Sequence, residues 1–206
     1  AARNHSLTDS VRGVTKNLAS DLVEAEGTVS NRITAFATDG FTVGDGGYVN
    51  ADGGTYVAWN WDMGSSTVTN TAGNINSQVR ANTTYGQSIV TYTGTDGAGQ
   101  AIGHGVGATV KFILLRNLTE DNEVFYVSHP TVRALNANKY LDLNTTAAAA
   151  ENADGAWAGS LPNSSIFYVH GAGRTNRNGK NYVAYCWAEI AGYSKFGSYT
   201  GNASTD

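Results

Sequence analysis

Arg174, Arg177 and Lys180 lie together on one Gly/Asn-rich stretch, RTNRNGK. Guanidinium and ammonium groups spaced this closely suit an acidic glycan, although a solvated charge cluster is the commoner use of such a stretch. A second Gly-rich stretch carries Asp45, Asn50 and Asp52. Their oxygens are the hard ligands calcium takes, at a spacing that departs from an EF-hand loop. Arg174, Arg177, Lys180, Asp45 and Asn50 are therefore the candidate ligand-binding residues.

The remaining reactive side chains point away from catalysis. His104 stands in Gly103-His104-Gly105, with no cysteine or second histidine at metal spacing, and is expected to fix a turn. His5 and His129 follow similar strands and are expected to hold equivalent structural places. Cys186 alternates with Tyr185 and Trp187 as a small packed thiol, with no local base to activate it. Hydrolysis of a polysaccharide needs two carboxylates across the scissile bond. Asp39, Glu123, Asp142 and Glu189 are available for this, but no spacing pairs them, and no Gly-x-Ser-x-Gly elbow or phosphate loop occurs. The expectation is a non-enzymatic protein with no catalytic residues, no metal site and no cofactor, calcium on the Asp45 loop being the alternative.

The elements that position these residues come from an internal repeat. Residues 41–61, FTVGDGGYVNADGGTYVAWNW, align without a gap with residues 167–187, FYVHGAGRTNRNGKNYVAYCW. Each copy reads as an extended run, a Gly/Asn loop and a second extended run, the signature of a hairpin with the candidate residues at its tip. Alternation places Val57, Trp59 and Trp61 on one face, and Val183, Tyr185 and Trp187 on the matching one; a face shared with valine is expected to be core. Exposed, such aromatics would instead suit sugar stacking.

A further pair matches residues 88–94, SIVTYTG, with residues 195–201, KFGSYTG, and a Lys-x-Leu strand precedes each hairpin. The expected unit is a Tyr-Thr-Gly strand, strands near 110–116 and 125–129, the Lys-x-Leu strand and the hairpin. Residues 1–85 then form a partial first β-sandwich unit plus linker, with residues 65–78 as the linker. Residues 86–206 form a complete second unit and the opening strand of a third, as in a segment of a longer multi-unit polypeptide. Helix is admitted only at residues 16–26 and 145–151, for a turn or two.

Composition agrees with an all-β reading. Charged residues make up 15% and glycine fills 25 positions of the 206, a balance that favours short strands and turns. One cysteine allows no intramolecular disulfide. A net charge of -4 argues against phosphate-backbone binding, and no apolar run approaches the ~20 residues of a spanning helix. Asn-x-Ser/Thr triplets are frequent, as chance provides in a chain rich in these residues.

The motifs SIVTYTGTDGAG, IGHGVGATVKFILLRN, KYLDLNTTAAAA, NYVAYCWAEIAGYSKFGSYTGN, DSVRGVTKNL and DGFTVG resemble uncharacterised tandem-repeat domains of bacteriophage virion proteins, especially of marine and cyanobacterial phages. Ala108-Thr109 departs from that pattern, which carries a proline there. The resemblance implies an antiparallel β-sandwich of the lectin-like or jelly-roll type, built from tandem units on a tail fibre or other appendage at the virion surface. It implies attachment to host-surface polysaccharide, other virion proteins as partners, and homo-oligomerisation, with a trimer common among fibres; neither nucleic acid nor membrane insertion enters. The alternatives are a purely architectural fibre-shaft or capsid-decoration protein and, third, a polysaccharide depolymerase.

Overall fold

A computed structural model of the chain describes residues 3–151, 155–171 and 173–204. The fold is all-β and antiparallel. Its strands are β1 (Lys16–Asn17), β2 (Gly27–Thr28), β3 (Ile33–Phe36), β4 (Phe41–Val43), β5 (Thr67–Asn70), β6 (Ser77–Asn82), β7 (Gln87–Thr93), β8 (Gln100–Gly103), β9 (Val110–Asn117), β10 (Tyr126–Ser128), β11 (Leu141–Asp142), β12 (Ile166–Val169) and β13 (Asn181–Ala188). A seven-stranded sheet in the order β11-β10-β9-β13-β7-β6-β5 dominates.

β13 is the centre of this sheet, paired along its length with β7 on one side and β9 on the other. A strand covered on both faces reads as a nearly continuous apolar run, and Tyr182 to Cys186 are all buried. Alternation then sorts the side chains. Val79, Val90, Tyr92, Ile113, Leu115, Tyr182, Ala184 and Cys186 face a core closed by Ile102, Phe167, Val169 and Trp157 of the β8·β12 layer and its loops. Ile89, Val183 and Tyr185 face the opposite way, against Leu18, Met63 and Phe125, with Leu7 and Val11 beside them. Truncating the fully buried Leu18 to alanine would cost about 2–5 kcal/mol, the usual range for such a cavity.

The N-terminal segment is clamped onto that second face by Arg12. Its guanidinium reaches Asp9 at 2.5 Å and Glu26 at 2.9 Å. It also donates to the Leu7 carbonyl at 3.2 Å and the Tyr185 hydroxyl at 3.0 Å. Burial works against this charge, but Tyr185, Asp9 and Glu26 outweigh it and hold the guanidinium more firmly protonated than usual.

Several sequence expectations are corrected. β12 and β13 form no hairpin: β12 pairs with β8 and β13 with β7, so the two strands lie in different layers. β4 likewise pairs with β3, and residues 55–61 lie outside every ladder of the described residues. Val57, Trp59 and Trp61 are 83%, 80% and 49% exposed, so this face is not core. Residues 195–201 form no strand, and Tyr199 is 94% exposed. The expected linker 65–78 instead contains β5 and the start of β6, which pairs with β7; the boundary at residues 85 and 86 thus falls inside the large sheet.

Helix appears at Pro130–Leu135 (α1), not at the two admitted stretches. His129 Nδ1 accepts the Thr131 amide hydrogen at 3.3 Å as N-cap, and Pro130 opens the first turn. His5, its expected counterpart, instead sits against Ser20, 3.2 Å from Nδ1 to Oγ.

Candidate functional site

The basic tip, over its described residues 173–180, folds inward. Thr175 and Asn176 are fully buried: the Thr175 hydroxyl donates to the Ala156 carbonyl at 2.6 Å, and the Asn176 amide donates to the Gly97 carbonyl at 2.8 Å. Arg177 forms an ion pair with Glu120 and lies 3.5 Å from Glu123, while Lys180 reaches Glu120 at 3.2 Å. Burial raises the Glu120 carboxyl, but Lys180 and Arg177 overcome it and hold the group below its ordinary value. Glu123 goes the other way, pushed up by burial against the pull of Arg177. Arg174 lies over the rings of Tyr126, at 5.9 Å, and Tyr140, at 5.3 Å. Two of the three cations are therefore neutralised from the loop after β9, and the third is spread over tyrosine faces.

Asp45 and Asn50 sit on a separate loop. The Asn50 side chain donates to the Gly44 carbonyl at 2.8 Å, closing the turn, and Tyr48 takes Arg32 over its ring at 4.2 Å. No hydrogen bond or ion pair among the described residues joins the two tips, and no group of three His, Cys, Asp or Glu is placed to hold a metal ion among them. No helix among them is long and apolar enough to cross a membrane.

His104 does what its turn requires. Nδ1 accepts the Val106 amide hydrogen at 3.1 Å and Nε2 lies 3.1 Å from the Asn163 carbonyl, so the neutral ring with its proton on Nε2 satisfies both. Burial lowers it to about 4, against the small raising effect of the Asn163 bond. Cys186 is fully buried and burial pushes its thiol up, which suppresses the thiolate.

A cleft of about 370 Å³ opens where the N-terminal segment meets the large sheet. Arg12 and Glu26 form one wall, Gln78, Thr93 and Asn181 the floor, and Leu118 an apolar edge. The floor comes from β6, β7 and β13, whose alternate residues cannot enter the core and so carry amides and hydroxyls. Asn181 accepts from the Thr93 hydroxyl at 2.9 Å, and the Gln78 amide donates to Thr69 Oγ1 at 3.0 Å. Arg12 is spent on internal partners, so the cleft presents chiefly neutral hydrogen-bonding groups. Sequence reading passed over it because its walls come from segments far apart in the chain.

Fold and site together define an all-β protein of antiparallel layers with an open, amide- and hydroxyl-lined cleft on one sheet face. The chain belongs to the family described as a domain of unknown function, DUF7483, whose model matches residues 1–206. No curated protein and no solved structure matches it.

Proposed function

We propose that this protein is a virion-appendage attachment protein whose cleft binds neutral stretches of host-surface polysaccharide, without hydrolysing them. The cleft floor carries this reading: beyond their bonds to Thr69 and Thr93, Gln78 Oε1 and Asn181 Nδ2 offer an acceptor and a donor on a rigid sheet, the equipment for recognising sugar hydroxyls. Glu26 is the carboxylate in the lining, and it is already engaged by Arg12, whereas two-carboxylate hydrolysis needs a second across the bond. The resemblance to phage virion domains supplies the setting. The two tips first singled out are not part of this site: one is internally ion-paired and the other is closed by Asn50.

The test is binding of the purified chain to a glycan array and to intact candidate host cells. Saturable binding that falls at least tenfold in Gln78→Ala/Asn181→Ala, both exposed positions, supports the reading. Binding unchanged by that pair, or no binding in any assembly state, overturns it. The second reading, a purely architectural appendage protein, is favoured by the exposure of Val57 and Trp59, since strand-like apolar segments of this kind are used between subunits.

A further inference from the structure

Two exposed stretches of this chain match the two strands at the heart of its own sheet. Residues 56–61 match the stretch of β13 from Tyr182 to Trp187, and residues 195–201 match residues 88–94, which run through β7. In the sheet these partners lie side by side, with Tyr182 opposite Tyr92, Val183 opposite Thr91 and Ala184 opposite Val90. Tyr92 and Tyr182 stack at 5.1 Å. Beyond them the Gly94 amide donates to the Lys180 carbonyl at 2.8 Å, and the Gly179 amide to the Gly94 carbonyl at 2.9 Å.

The likeness extends beyond letters. The Tyr182 hydroxyl accepts the Arg177 amide hydrogen at 2.9 Å, and the Tyr56 hydroxyl accepts that of Ala51 at 2.8 Å. The Lys180 amide donates to the Arg177 carbonyl at 3.2 Å, and the Gly54 amide to that of Ala51 at 3.0 Å. Gly179 and Gly53 share a left-handed φ, 69° and 68°. On the other strand, Asp96 and Ala203, two residues beyond the matched glycines Gly94 and Gly201, have φ of 62° and 56°. A left-handed alanine is costly by itself and is held where local structure demands it. The turn leading into Tyr56 and the residue two beyond Gly201 are thus shaped as their counterparts are beside the paired strands, yet neither stretch lies in a ladder among the described residues.

We infer that residues 197–201 of one copy of this chain pair antiparallel with residues 54–58 of a second copy. The register follows from the intact pair: Tyr199 opposite Tyr56, Ser198 opposite Val57 and Gly197 opposite Ala58. Tyr199 stacks on Tyr56 as Tyr92 does on Tyr182, and Gly201 bonds the Gly53–Gly54 turn as Gly94 bonds Gly179 and Lys180. Phe196 stays stacked on Phe112 at 5.3 Å, so the donated strand leaves its own copy at Gly197. Tyr199, 94% exposed, and Val57, 83% exposed, are the surfaces that gain cover. The contact is head-to-tail, since each copy offers a different strand from the one it receives, and it closes into a ring or runs on as a fibre. It does not depend on what the cleft binds.

Paired cysteines test this in the full-length chain. Val57→Cys and Ser198→Cys are both exposed replacements, and native Cys186 is buried out of reach. Mixing the two single variants under mild oxidation is expected to give a covalent dimer, and the double variant a ladder of dimers, trimers and longer species on a non-reducing gel. A double variant that closes on itself as a covalent monomer overturns the inference. So does an absence of cross-linking, or an equal yield with Thr67→Cys on the exposed β5 in place of Ser198→Cys.

Discussion

The Tyr185 hydroxyl donates to Asp9 Oδ2 at 2.7 Å, joining residues 176 positions apart. The same carboxylate holds Arg12 and accepts the Val11 and Arg12 amide hydrogens, at 3.0 and 2.9 Å. The N-terminal segment therefore lies on the sheet through a buried charge network as well as through Leu18. Asp9→Ala leaves a buried guanidinium with Glu26 as its remaining carboxylate partner and is expected to cost about 3 kcal/mol. Tyr185→Phe keeps the ring and is expected to cost about 1–2 kcal/mol. Urea unfolding of both variants measures this, and equal losses would show that the hydroxyl, not the ion pair, dominates.

Stability is expected to fall with acid through His104. Its ring is held at about 4 by burial, against about 6.5 in an unfolded chain. Between these values the unfolded chain takes up the proton and the folded chain does not. The contribution is complete above about pH 6.5, shrinks as pH falls toward about 4, and amounts to roughly 3 kcal/mol in total. Protonation of Nδ1 would also evict the Val106 amide. Subtracting the pH profile of His104→Gln, which retains a donor and an acceptor, isolates the effect; parallel profiles would refute it.

Gly94 and Gly201 separate folding from assembly. A Cβ on Gly94 would overlap the Arg177 carbonyl, whereas one on Gly201 meets nothing within 4 Å. Gly94→Ala is expected to destabilise the folded chain by about 2–3 kcal/mol, and Gly201→Ala to change it by no more than about 0.5 kcal/mol. Thermal melts at low concentration read the first effect. Sedimentation at high concentration reads the second, where Gly201→Ala is expected to weaken association by crowding the Ala51 carbonyl of the neighbouring copy.

Cys186 is expected to resist thiol reagents in the folded protein and to react fully in denaturant, because it is buried and its thiolate is suppressed. A native-state labelling rate within tenfold of the denatured rate would contradict the packing of β13.

The all-β class and the central strands were legible in the sequence because β7, β9 and β13 are dense in β-branched and aromatic residues. β5 and β6 were not: TVTN and SQVRAN carry so few apolar side chains that they read as linker, although Val79 packs into the core. The crossing from β12 to β13 was missed because a local pattern cannot distinguish a hairpin from a passage between layers. The basic tip showed its cations but not their partner: Glu120 lies 57 residues from Arg177 in the chain. The repeat was visible, yet equal sequence did not bring equal burial, because among the described residues Val57 and Trp59 have neither flanking strands nor the layer of Leu18, Met63 and Phe125 that covers Val183 and Tyr185.

The place of β13 between β7 and β9 also governs when the molecule can form. β7 and β9 are joined only through it, so on the ribosome the β5-β6-β7 and β9-β10-β11 halves cannot be united until residues 181–188 have emerged. Nucleation by such distant segments is slow, typically milliseconds to seconds. During that interval the sticky edges of β7 and β9 are open to other chains, and the yield of native protein will depend on how crowded the nascent chains are.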